Sequence, residues 1–255
     1  MKKVQVVWRF CSLAIAILSA PIISKGQSVA TEIPAEPSII VEPAKPVKRE
    51  KYSVLFVLPF TSSPSEKFMR VYFNDWSPRV DWQKGYEVFL DSLGIKKPLL
   101  LVMVSGSSSP RDHDAQGFAA AIIRFESQVK KDLTLLEKKY SIDKASLFLT
   151  GFSLGGDLSW AISQRDPGMF KGAVVAGTRC GYRMANSFSN LNQNNFRVYI
   201  GQGRNESSVI RLGIDQAKAE LASAGIENAY FEIPNVGHNM LPLNKFVEAL
   251  RFVMQ

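Results

Sequence analysis

The chain has 255 residues, 46% of them hydrophobic, with a formal charge of +8 and two cysteines. That length carries one sizeable core, and two cysteines exclude a disulfide-stapled scaffold. The lysines fall in pairs, Lys96-Lys97, Lys130-Lys131 and Lys138-Lys139. With no aromatics interleaved they form the solvated faces of helices and exclude a nucleic-acid footprint.

Residues 1–26 combine Lys2, Lys3 and Arg9 with the apolar run "CSLAIAILSAPII" and the small-residue site Ser24-Lys25-Gly26. This pattern predicts a secretory signal peptide. The run is shorter than the roughly 20 apolar residues of a membrane span, so no stable membrane insertion is expected after cleavage; an uncleaved anchor is the alternative. Removing the four Lys and Arg of this segment lowers the formal charge from +8 to +4. The predicted location is periplasmic or secreted. Cys11 lies within the signal and precedes the apolar run, so it is no lipid-attachment site, and Cys180 reads as a small buried residue. Residues 27–50, with Pro34, Pro37, Pro43 and Pro46 among Glu and Ala, read as a Pro-rich linker with room for one short strand at "SIIVE".

From Lys51 to the end the chain alternates short apolar runs with longer amphipathic ones. "SVLFVLPF", "PLLLVMVSG", "ASLFLTGF", "GAVVAG", "FRVYIGQG" and "AYFEIP" predict strands buried on both faces. Between them, "DWQKGYEVFLDSLG", residues 115–140, "GGDLSWAISQ", "SVIRLGIDQAKAELASAG" and "LPLNKFVEALRFVMQ" predict helices. In the longest, Phe118, Ile122, Phe125, Val129, Leu133 and Leu136 form one stripe. The expected architecture is α/β, a mostly parallel doubly wound sheet with helices on both faces.

The chemistry concentrates on Gly151-Phe152-Ser153-Leu154-Gly155, a G-x-S-x-G pattern placed directly after a strand and before a helix. In that context the pattern predicts a nucleophile elbow. The glycines let the chain turn sharply, and the helix behind the serine aims backbone N–H groups and its positive dipole end at the site. A serine hydroxyl needs a base, and only His113 and His238 are available. His238 follows the last predicted strand in "PNVGHNM", the position of the base in an elbow fold, whereas His113 lies in the polar loop "SSSPRDHDA". His238 is preferred, and His113 is read as a solvated loop residue.

The third member stands between nucleophile and base in chain order. Asp157, Asp166, Glu206, Asp215, Glu220, Glu227 and Glu232 are the carboxylates there. Asp157 and Asp166 belong to the helix leaving the elbow and are expected to point away from the strand tips. Asp215 and Glu220 fall within a helix, and Glu227 and Glu232 in or before the last strand. Only Glu206 in "GQGRNESS" lies at the carboxyl end of a strand, although a helix-capping acid is its competing role.

"GFSLGG", "YIGQG" and "PNVGH" resemble the α/β-hydrolase superfamily, and within it short secreted esterases similar to polyhydroxyalkanoate-depolymerase and feruloyl-esterase relatives. The resemblance covers residues 51–255. It implies a compact domain, a Ser153–Glu206–His238 triad, an acyl-enzyme intermediate, and no metal or organic cofactor. The substrate would be a small-molecule or polymeric ester. A non-catalytic binding module on the same fold, or a peptidase, are the alternatives. One departure concerns the oxyanion hole. Relatives often carry His-Gly where this chain has Pro59-Phe60, and proline has no N–H. The donors would then be Leu154 at the elbow with Phe60 or Thr61. The segment "TRCGYRMANSFSNLNQNN" is too short for a large lid, so an open site is expected. Phe68, Tyr72, Phe73, Trp76 and Trp82 are available for an acyl pocket or, more in keeping with a long loop, for satellite packing.

Overall fold

The computed structural model describes residues 38–43, 50–60, 71–72, 82–106 and 110–255. The expected signal peptide, Thr61 and the aromatics Phe68, Phe73 and Trp76 lie outside the described residues. Seven strands form one sheet: β1 (Ile39–Val41), β2 (Tyr52–Val57), β3 (Leu99–Met103), β4 (Ile142–Phe152), β5 (Gly172–Ala176), β6 (Arg197–Gly203) and β7 (Asn228–Ile233). Six α-helices are described: α1 (Trp82–Leu93), α2 (Ala115–Lys139), α3 (Leu154–Arg165), α4 (Ser187–Gln193), α5 (Ser208–Ser223) and α6 (Leu243–Val253).

The strand order is β1-β3-β2-β4-β5-β6-β7. All neighbours pair in parallel except β1, which runs antiparallel to β3 with Ile39 opposite Met103. The strand foreseen at "SIIVE" therefore belongs to the sheet, which begins ahead of the boundary drawn at Lys51. Its entry is fastened by Ser38, whose hydroxyl donates to Asp132 Oδ2 at 2.6 Å and accepts from Ser105 N at 2.8 Å.

Every residue of β2 and β3 is buried, which is why their sequence lacks a polar alternation. Val54, Phe56 and Leu58 pack in one apolar cluster with α2, α3 and α5. Leu55, Val57, Leu99 and Leu101 pack in the other with α1 and α6. The period of two along the strands thus feeds two separate helix layers, the doubly wound arrangement the sequence predicts.

In α2 the apolar stripe holds, with Asp114 capping the first turn by accepting from Gly117 N at 2.7 Å. Phe118 and Leu133 sit at its half-buried margins, while Asp132 lies within the buried face. Burial pushes the Asp132 carboxyl up from its ordinary value, and the hydrogen bonds from Ser38 and Gln128 partly offset this. Helix α3 is buried along almost its whole length, because it runs between the sheet and the segment around Tyr182, whose carbonyl accepts from Trp160 Nε1 at 3.1 Å. Cys180 is fully buried, as expected. Among the described residues no helix is long and apolar enough to cross a membrane.

The chain reverses direction across the sheet between β2 and β4: β2 leads to β3 on one side, and the following crossover brings β4 to the other. Such a switch point leaves a crevice beyond the carboxyl ends of the two strands. Ser153 lies at the end of β4, and Phe60 just past the end of β2.

Candidate active site

Strand β4 passes into α3 through Ser153 alone, which is held at φ 55° and ψ −121°. Few side-chain-bearing residues adopt this backbone conformation. The flanking glycines explain how the turn closes. A Cβ on Gly151 would lie 2.2 Å from the carbonyl carbon of Gly155, and one on Gly155 would lie 2.4 Å from the Leu58 carbonyl oxygen. Both positions admit only hydrogen. Ser153 N donates to Ala176 O at 2.9 Å, tying the bend to the end of β5.

The structure brings Ser153, His238 and Glu206 into one hydrogen-bonded chain. Ser153 Oγ lies 2.8 Å from His238 Nε2, and His238 Nδ1 lies 2.9 Å from Glu206 Oε2. An ionised glutamate only accepts, so Nδ1–H donates to it and Nε2 is left to accept the serine proton. The Glu206 side chain is 4% exposed, and its Oε1 accepts from Ser207 N at 3.1 Å. Both carboxylate oxygens are thus engaged, which fixes their direction.

Backbone contacts set the spacing between Glu206 and His238. Asn205 N donates to Val236 O at 2.8 Å and Arg204 N to Ile233 O at 2.9 Å. At Gly203 a Cβ would come within 1.9 Å of Gly237 O, so the two turns touch through a glycine. The imidazole rests on the Phe152 ring, with centroids 4.6 Å apart. Gly177, at φ 55°, sits against both rings.

On the oxyanion side, Leu154 is the first residue of α3, where backbone N–H groups have no intrahelical acceptor. Leu58 N donates to Thr150 O at 2.8 Å, which holds the chain after β2 beside the elbow. Phe60 follows at once, its ring edge-on to Phe152 at 5.5 Å. Of the aromatic group, Tyr72 is buried and stacks on Phe246 at 4.2 Å, the packing role, and it does not line the cavity over Ser153.

A cavity of about 260 Å³ opens over the serine, lined by Ser153, His238, Glu206, Arg179, Asp157 and His113, with Leu154, Gly177 and Ile210. Two of these correct the expectations. Asp157 does not point away: in the first turn of α3 its carboxylate faces the end of β5. There Oδ1 accepts from Thr178 Oγ1 at 2.7 Å and Arg179 N at 2.8 Å, and Oδ2 accepts from Arg179 Nε at 2.7 Å. His113 is exposed, as a loop residue should be, yet it borders the same cavity, and its carbonyl lies 3.5 Å from Arg179 Nη1. Sequence reasoning passed over Arg179, although it lies at the carboxyl end of a strand, the criterion that selected Glu206. Among the described residues no three His, Cys, Asp or Glu side chains converge to hold a metal ion.

A mostly parallel sheet with a serine at a strand-to-helix bend and a hydrogen-bonded Ser–His–Glu chain at its switch point together define the class of fold: this is the α/β-hydrolase fold. Solved structures of that fold align over most of the chain. A BES protein from Bacillus cereus matches at 15% identity and TM-score 0.61, covering 95% of this chain and 100% of its own. A CE1 ferulic acid esterase from the anaerobic fungus Anaeromyces mucronatus matches at 14% identity and TM-score 0.60, covering 86% and 83%. A fluorophosphonate-binding serine hydrolase of Staphylococcus aureus matches at 10% identity and TM-score 0.58, covering 86% and 92%. No family model and no curated protein sequence matches the chain.

Proposed function

We propose that the protein is a serine hydrolase that cleaves carboxylic esters through an acyl-enzyme on Ser153. The observation that carries this reading is the continuous chain Ser153 Oγ, His238 Nε2, His238 Nδ1, Glu206 Oε2, with links of 2.8 and 2.9 Å. In the forward step His238 Nε2 takes the hydroxyl proton while Oγ bonds to the ester carbonyl carbon. The carbonyl oxygen gains the negative charge, and Leu154 N–H with Phe60 N–H or Thr61 N–H donates to it. Collapse of the tetrahedral species breaks the bond to the alkoxy oxygen, which leaves with the proton from His238. Water then repeats the sequence on the acyl-enzyme, giving the carboxylic acid and free Ser153. Glu206 holds the imidazole in the required tautomer and stabilises its charged form.

The esterase and serine-hydrolase names among the fold neighbours support the reaction class. The substrate is a small-molecule or polymeric ester, and the signal-like residues 1–26 assign the protein to the periplasm or the exterior. A fluorophosphonate probe tests the reading. Labelling that disappears in Ser153→Ala, together with turnover of p-nitrophenyl esters, is expected. Folded wild-type protein that takes no label would leave a binding module on this fold.

A further inference from the structure

We infer that Arg179 is a specificity residue that selects esters carrying a carboxylate on the part seated beside it. This rests on the ester-hydrolase reading above and assigns its substrate class.

Arg179 lies three residues past the end of β5, on the rim of the cavity that holds Ser153 and His238. Its guanidinium is held from several sides. The Nε and Nη2 edge is given to Asp157 Oδ2, both nitrogens lying 2.7 Å away. The group also lies over the Phe118 ring at 5.5 Å. A paired and stacked guanidinium has little rotamer freedom left to lose on binding a ligand. Among the described residues the opposite edge, formed by Nη1 and the outer N–H of Nη2, has only the His113 carbonyl at 3.5 Å, the outer limit of a hydrogen bond. The side chain is 35% exposed. It therefore presents a second planar pair of donors, the geometry that a carboxylate meets with two parallel hydrogen bonds.

The rest of the lining suits an anion there. Arg179 is the only fixed cation among the described lining residues. The two lining acids are both committed: Asp157 to Arg179 and Thr178, Glu206 to His238 and Ser207 N. No lining carboxylate is left with an unbalanced charge facing the outer edge of the guanidinium. A neutral alkyl ester would leave those donors to water, and a carboxylate of the substrate replaces that water with a charge-assisted pair.

The test compares substrate pairs that differ only in charge: mono-p-nitrophenyl adipate against its methyl ester for the acyl half, and the butyrate of 4-hydroxybenzoate against that of its methyl ester for the alcohol half. Wild-type protein is expected to favour the anionic member of one pair by about tenfold or more in kcat/KM, carried in KM and weakened by salt. The ratio should collapse toward one in Arg179→Gln and recover in part in Arg179→Lys. If the single variant does not fold because Asp157 is left unpaired, the double variant Arg179→Gln with Asp157→Asn leaves no buried charge and reads the same ratio. Turnover with both wild-type ratios near one, or ratios unchanged in a folded variant, overturns the inference while the hydrolase reading stands. Wild-type protein that cleaves none of the esters and takes no fluorophosphonate label overturns both.

Discussion

Exchanging Glu206 for glutamine keeps the side chain's size and reverses one hydrogen bond. The amide oxygen can still accept from Ser207 N, as Oε1 does at 3.1 Å. The amide NH2 then faces His238 Nδ1 across the 2.9 Å contact. A donor in that place leaves Nδ1 to accept, and the ring proton moves to Nε2. Nε2 then donates to Ser153 Oγ over the 2.8 Å contact instead of receiving its proton. The base is lost although no atom has moved far. Wrong-tautomer exchanges of this kind cost about 10⁴-fold in kcat, or about 5.5 kcal/mol of barrier. The assay is the initial rate on p-nitrophenyl butyrate, run beside a thermal melt in which Glu206→Gln shifts stability by no more than about 1 kcal/mol. Because the three groups act as a unit, adding Glu206→Gln to Ser153→Ala should cost nothing further. A folded Glu206→Gln protein that keeps its rate to within about tenfold of wild type would refute the relay, since 1.4 kcal/mol is far below what loss of the base demands.

Other positions give independent outcomes. Gly155→Ala places a Cβ 2.4 Å from the Leu58 carbonyl, an overpacking worth about 3 kcal/mol or a drop of roughly 6–12 °C in Tm for a domain this size; calorimetry showing no drop would mean that the elbow does not press against the chain after β2. Burial pushes the Cys180 thiol pKa well up, so iodoacetamide should leave the folded protein unmodified and react once the protein is denatured, as mass spectrometry will read. Burial also pushes the Glu126 carboxyl up, but hydrogen bonds from Lys130 and Arg165 outweigh it and hold the group below its ordinary value of 4.5. A lowered folded-state value contributes stability above the unfolded one and loses it as pH falls through the folded one. Urea midpoints of wild type and Glu126→Gln should therefore differ by about 0.5–1 kcal/mol at pH 7 and converge below pH 4.5; a constant gap would exclude this ion-pair cluster as the cause.

The sheet and the bend at Ser153 were legible because both are written locally. A buried strand needs a continuous apolar run, and a strand-to-helix bend needs glycines two residues either side of the serine. Glu206 was reachable by elimination, since a turn at the carboxyl end of a strand is a place that chain order can identify. What escaped depends on distant partners. A short strand at "SIIVE" was anticipated, but not its place in the sheet: β1 forms in a proline-rich stretch because the open edge of β3 and the carboxylate of Asp132 receive it. Helix α4 forms in an Asn-rich segment of low helical propensity because Leu191 is buried and Ser187 Oγ donates to Gln164 Oε1 at 2.9 Å. Asp157 was misjudged because a helix this close to a sharp bend turns its first residues back toward the strand ends.

The bend at Ser153 sets chemistry against durability. A non-glycine residue in such a conformation raises the free energy of the folded state by about 1–3 kcal/mol, and glycine at the same place would not. Ser153→Gly is thus the rare change in a buried, well-packed region that should make the fold hardier while abolishing its proposed chemistry. Selection for a sturdier fold alone would remove the hydroxyl, so the strain persists only while the reaction is needed.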